Sequence, residues 1–119
     1  MLAFIGTPQD RAEAQSILRQ ADAAFTDCRH TREENQEKYG LLAHYATPLE
    51  QGAAATTHSL TLWSAHLGDS EGYLWVYYSC EALDTQGNIL TASRNIPSLW
   101  QVQKDASGQW VVSHIKEHP

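Results

Sequence analysis

The sequence predicts an α+β domain, two N-terminal helices followed by a meandering, mostly antiparallel sheet, and three observations carry that prediction. Over residues 8–46 apolar side chains recur every three or four positions, the spacing of a helix with one buried face. From His58 onward the period drops to two, the spacing of strands. Between the period-two segments lie short turns rich in Gly, Asp and Asn, and short turns join antiparallel neighbours.

The first helix is expected over residues 8–28. Thr7 is placed to cap it, Pro8 suits the first helical position, and Asp10 sits at the positive end of the helix dipole. Ala14, Leu18, Ala21, Phe25 and Cys28 form its apolar stripe, with Arg11, Glu13, Arg19, Asp22 and Asp27 mostly off it. Thr31-Arg32-Glu33-Glu34 matches a capping box and opens a second helix over residues 32–46, which Pro48 stops. This helix turns Tyr39, Leu42, Ala43 and Ala46 inward. Residues 51–57 read as a small-residue loop.

Four strands follow: residues 58–67, 73–83, 89–104 and 109–116, the third bent or bulged near Pro97 because proline cannot donate to a ladder. Along the second, Leu74, Val76, Tyr78, Cys80 and Ala82 point one way, toward the helices if Cys80 meets Cys28. Tyr73, Trp75 and Tyr77 then form an aromatic row on the outer face. Such a row marks an interface, here one that would pair two copies through the sheet. The alternative is cross-strand aromatic packing on a half-exposed sheet.

At 119 residues the chain is one domain's length, divided into an arm (1–7), a helical part (8–47) and a sheet (58–117). The net charge of −6, with 14 acidic and 8 scattered basic residues, argues against a nucleic-acid partner, which needs clustered Lys and Arg. No apolar run approaches the ~18 residues of a membrane span. The apolar start Met1–Gly6 reads as a short packed strand or arm, or else the remnant of a trimmed leader. Cys28 and Cys80, if joined, would close a loop of about 52 residues worth roughly 4 kcal/mol; the alternative is two buried free thiols. Low lysine content with frequent Gln, Ser and Thr favours an extracytoplasmic setting.

The last hairpin, Trp100-Gln101-Val102-Gln103-Lys104-Asp105-Ala106-Ser107-Gly108-Gln109-Trp110-Val111-Val112, following helix, helix and meander, resembles the nuclear transport factor 2-like superfamily, the cystatin-like, SnoaL-like cone. The resemblance spans roughly residues 8–117 and is specific only in that hairpin. It departs from the family in leaving residues 47–57 alone to supply the usual third helix and short strand. It implies a curved sheet wrapped around helices, a pocket between them, and frequent dimerisation through the sheet. Enzymatic members such as ketosteroid isomerases and scytalone dehydratases place Asp, Tyr or His in that pocket. Many relatives instead serve as binding or assembly modules, including soluble domains of secreted or lipoprotein-type bacterial proteins.

The expected function is accordingly non-enzymatic ligand binding or assembly, the alternative a small isomerase or dehydratase. Tyr39, Tyr45, Tyr78, Trp100 and His114 are the expected pocket residues, His114 through sharing a face with Trp110 and Val112. No acidic residue falls at an obviously inward position: Glu81 points out, and Asp84 and Asp105 belong to turns. The six histidines, His30, His44, His58, His66, His114 and His118, form no helical metal-binding pair. His58 and His66 share a strand face but lie ~26 Å apart at about 3.3 Å per residue. No cofactor is implied. A Gly-x-Ser-x-Gly elbow and a phosphate-cradling glycine loop are both missing, which leaves nucleophilic and nucleotide chemistry unsupported.

Overall fold

The computed structural model describes residues 6–117. Residues 1–5 of the expected arm, and His118, lie outside the described residues. Two N-terminal helices pack on a four-stranded antiparallel meander whose strands lie side by side in chain order.

Helix α1 runs Pro8–Phe25, capped by Thr7, whose hydroxyl accepts the Asp10 N–H at 3.0 Å. Its buried stripe adds Ile17 and Ala24 to Ala14, Leu18, Ala21 and Phe25. The helix ends at Phe25, three residues short of the expected 28, because Thr26 turns its hydroxyl back onto the Ala23 carbonyl at 3.0 Å and closes the last turn. Cys28 therefore sits in the following turn rather than on the stripe.

Helix α2, Arg32–Tyr39, begins with the full capping box: Thr31 Oγ1 accepts from the Glu34 N–H, and the Glu34 carboxylate accepts from the Thr31 N–H. It too is shorter than its expected range of 32–46. Gly40 takes φ 61°, ψ −132°, a conformation that glycine alone adopts without strain, and this breaks the α-helix. The chain continues as a tighter 3₁₀ turn, Gly40–Tyr45. Three residues per turn align Leu42 with Tyr45, and both are buried. A further short 3₁₀ turn, Leu49–Gln51, precedes the sheet.

The strands are β1 Ala55–Leu67, β2 Glu71–Leu83, β3 Ile89–Lys104 and β4 Trp110–Glu117. Strand β1 starts three residues before the expected His58, because Ala55–Thr57 pair with Leu83–Glu81. Helix α1 packs on β1 and β4, and the Gly40–Tyr45 turn packs on α1 and β4. Leu74, Val76, Tyr78 and Ala82 are buried beneath them, while Tyr73, Trp75 and Tyr77 are exposed on the opposite face. Trp100 is fully buried at the centre of the core, with Ile17, Leu42, Leu74 and Val102 around it.

Bulges interrupt three strands and decide which residues face inward. In β1, Leu62 pairs with Val76 and Ser64 with Trp75, leaving Trp63 extra. The side chain of Arg11 bonds the Trp63 and Leu62 carbonyls at 3.1 and 3.3 Å and so occupies the disturbed backbone. The extra residue reverses the alternation, so His58 faces the helices while His66 pairs with Tyr73 on the outer face, their rings 5.1 Å apart. The two histidines thus do not share a face, contrary to the sequence-based expectation of uninterrupted alternation. In β3, Cys80 pairs with Ser93 and Tyr78 with Ile96, so Arg94 and Asn95 bulge just before Pro97. Asn95 adopts φ 51° there, and its N–H donates to Ser79 Oγ at 2.9 Å. Among the described residues the pairing with β4 begins at Ser98, one residue after Pro97.

Candidate functional site

The bulge in β4 builds the site. Gln101 pairs with His114 and Val102 with Val112, which leaves Ser113 unmatched. Before it, Trp110 and Val112 face the core; after it, Ile115 pairs with the buried Trp100 and Glu117 with the buried Ser98. One extra residue thus turns His114 outward, where it is exposed opposite Gln101, and brings Glu117 inward. Both results correct expectations drawn from plain alternation, which put His114 on the inner face and no acidic residue there.

Glu117 is the hub of a polar cluster joining β4, β3, β2 and the Gly40–Tyr45 turn. Tyr78 donates its hydroxyl to Oε1 at 2.6 Å, His44 Nε2 lies 3.1 Å from the same oxygen, and Tyr45 donates to Oε2 at 2.9 Å. With the Tyr45 proton committed to Glu117, its oxygen receives Trp100 Nε1–H at 2.9 Å and contacts Ser98 Oγ at 3.1 Å. Trp100 also shares its N–H with Ser98 Oγ at 3.0 Å. The rings are mutually packed: Phe25 stacks on Tyr45 at 4.6 Å, and Tyr78 meets Tyr45 edge-on at 5.0 Å.

Burial pushes the Glu117 carboxyl up, but hydrogen bonds from Tyr78, His44, Ser98 and Tyr45 outweigh it and hold the group below the usual glutamate value. Tyr78 is raised by burial, then by its bond to Glu117 and the negative charge there. Burial raises Tyr45 as well, with the Glu117 charge adding to it against the donors Ser98 and Trp100. Glu117 is thus an ionised acceptor at neutral pH and the two tyrosines are neutral donors.

A cleft of about 360 Å³ opens onto this cluster between the Tyr45–Pro48 segment and strands β2 and β3. His44, Tyr45, Tyr78, Cys80, Ile96 and Glu117 contribute to its walls, with Gln51, Thr91 and Ser93 among the residues that complete them.

Of the five expected pocket residues, Tyr45, Tyr78 and Trp100 come together here, Trp100 as a buried support behind Tyr45. Tyr39 does not join them. Its hydroxyl donates to Asp27 Oδ2 at 2.6 Å in a separate cluster where His30 Nδ1 lies 2.9 Å from the same oxygen and the Arg29 N–H reaches Oδ1 at 3.1 Å. Burial raises the Asp27 carboxyl, yet Tyr39, His30 and the Arg29 N–H overcome it and set it at about 2. Asp27 is buried because α1 stops at Phe25, which turns it back under the chain instead of leaving it off the apolar stripe as expected. Backbone bonds from Thr47 N to Asp27 O (3.0 Å) and from Leu49 N to His30 O (2.8 Å) make this cluster a staple between the interhelical turn and the approach to the sheet.

Cys28 and Cys80 are free thiols. Cys80 pairs with His58 across the β1–β2 ladder, but burial raises its thiol, and the bond to Ser93 offsets this only in part. His58 bonds Asp22 at 2.8 Å and stacks on Phe25 at 4.9 Å, so it pins β1 to α1. A raised thiol is a weak nucleophile, and these residues do not form an activated cysteine. Among the described residues no three His, Cys, Asp or Glu side chains converge as a metal-binding group, and no helix is long and apolar enough to cross a membrane.

Compared with protein-family models, with curated proteins and with solved structures, the chain matches none. What is established is the class of fold, an α+β domain of two N-terminal helices on a four-stranded antiparallel sheet.

Proposed function

We propose that this protein is a non-enzymatic binding domain that takes up a small molecule in the Glu117 cleft. The observation that carries this reading is an ionised carboxylate, fixed by two tyrosines and a histidine, beside an open space of about 360 Å³. That size lies in the lower part of the range of small-molecule sites, which combine apolar walls with a few placed polar groups. The likeness of the helix–helix–meander order and final hairpin to the nuclear transport factor 2-like superfamily supports a pocket at this place. An isomerase- or dehydratase-type reaction fits less well. A general base works best with a pKa near the operating pH, and the donors around Glu117 move it the other way.

The test is amide chemical-shift mapping with two one-ring probes, benzyl alcohol and benzylamine. Binding in the cleft would move the amides of Tyr45–Pro48, Tyr78, Cys80 and Ile96, and Thr91→Trp, placed on an exposed rim position, would block those shifts. If neither probe moves a cleft amide, the reading falls.

A second reading concerns the outer face, where Tyr73, Trp75 and Tyr77 are 40%, 36% and 42% exposed and Trp63 is 50% exposed. Helix α1 and the Gly40–Tyr45 turn pack on the other face, and an open groove of about 550 Å³ runs beside Tyr73 and Trp75. This supports pairing of two copies through the sheet.

A further inference from the structure

We infer that the Glu117 cleft selects a small organic cation, a primary or methylated amine on a compact apolar body. The inference rests on the cleft reading above and adds the charge of the ligand.

Three features point the same way. Among the described residues lining the cleft, Glu117 is the only carboxylate, and there is no Lys or Arg to neutralise it. An anionic ligand would meet only repulsion from it, at short range and partly shielded from water, where charge interactions are stronger than in bulk solvent.

The carboxylate can also exchange one of its donors. Its two oxygens offer about four lone-pair positions. Tyr78 and His44 bond Oε1 and Tyr45 bonds Oε2, with Ser98 a fourth donor, so a ligand gains its place by replacing one of them. His44 is the most exposed member of the set, with its side chain 57% exposed against 18% for Glu117. A ligand ammonium can displace it from Oε1 without disturbing the two buried tyrosines.

The walls complete the chemistry. Tyr45 and Tyr78 meet nearly at right angles, 68° between ring planes, and line the cleft beside the carboxylate. Aromatic rings next to a carboxylate attract an organic cation through both the ring quadrupole and the full charge. Ile96 and Pro48 provide apolar surface for the body of the ligand.

The experiment compares benzylamine, benzyl alcohol and benzoate, which share a ring and differ in charge, by titration against the wild-type protein with cleft amides as the readout. Benzylamine is expected to bind about tenfold more tightly than benzyl alcohol, a difference of about 1.4 kcal/mol, and benzoate not to saturate. Added salt is expected to weaken benzylamine alone. Glu117→Gln is expected to bring benzylamine down to the alcohol's affinity. Should that variant lose its native spectrum, the wild-type salt comparison decides the question by itself. Equal binding of amine and alcohol overturns the cationic inference and leaves the cleft reading standing. Silence of every cleft amide with all three probes removes the cleft reading itself.

Discussion

Glu117 accepts the Tyr78 hydroxyl at 2.6 Å although β4 and β2 are not neighbours; the bond passes over β3, whose Ser98 is paired with Glu117. A side chain at the end of the last strand thus ties together three strands, and through Tyr45 the Gly40–Tyr45 turn as well. Removing its charge should be felt well away from the C-terminus. Glu117→Gln keeps the shape but replaces charge-assisted bonds with neutral ones, and is expected to cost about 1–3 kcal/mol. Urea unfolding checks this, with Tyr78→Phe as the companion. Because the pair shares one bond, the double mutant should lose less than the sum of the singles.

Acid should destabilise the protein through two carboxyls. Asp27 is held at about 2 against an ordinary 3.8, and Glu117 is lowered in the same direction. A depressed folded pKa means that the unfolded chain takes up its proton first as pH falls. The stabilisation is therefore complete above the ordinary carboxylate range and disappears between about pH 4 and about pH 2 for Asp27. Melting temperature against pH should fall through that window, and Asp27→Asn should flatten the fall while lowering stability at neutral pH.

The β4 bulge has a sharper test. Deleting Ser113 removes the unmatched residue and leaves His114 opposite Gln101 and Glu117 opposite Ser98, so every side chain keeps its face. We expect the Glu117 cluster to survive this change, at a loss of less than about 2 kcal/mol. Inserting an alanine between Ile115 and Lys116 instead shifts the parity once more, sends Glu117 out and brings Lys116 in. That change is expected to cost several kcal/mol, about the scale of a broken buried network, seen as a large drop in melting temperature. Equal effects of the two changes would show that parity along β4 does not set the inward face.

Trp75→Ala and Tyr77→Ala address the outer face. Both side chains are exposed, so the changes are expected to alter stability by less than about 1 kcal/mol. If the face pairs two copies, the wild type sediments as a dimer at micromolar concentration and the variants as monomers. A wild type that stays monomeric at every concentration excludes self-association through this face.

Gly72 is required for a local reason that the sequence pattern does not reveal. A Cβ there would lie 2.3 Å from the His66 carbonyl oxygen and 2.7 Å from the Leu67 Cα, both backbone atoms. Gly72→Ala is therefore expected to cost more than about 2 kcal/mol, measurable by thermal unfolding.

Local chemistry made much of the fold legible. Thr7-Pro8 and Thr31–Glu34 start the two helices where their capping groups predict, because a cap depends on residues three positions apart. The alternation along residues 74–82 correctly separates Leu74, Val76 and Tyr78 from Tyr73, Trp75 and Tyr77, because β2 itself carries no extra residue over that stretch. Asp84 and Asp105 are turn residues as expected, each collecting backbone N–H groups from the residues that follow.

The site was another matter. Tyr78 could be named from its face, and Tyr45 and Trp100 as aromatics of the second helical segment and of the last hairpin, but Glu117 and Asp27 could not be named at all. A period-two pattern carries parity forward only until a bulge, and nothing in Val112-Ser113-His114 marks the extra residue. A helical stripe likewise says where a residue points only while the helix lasts, and α1 ends two residues before Asp27. The sequence by itself determined the helices, the meander and the outer aromatic row, since each follows from contacts close along the chain. Only the tertiary structure decided which carboxylates turn inward, because that depends on register between strands and on where packing, rather than propensity, brings a helix to its end.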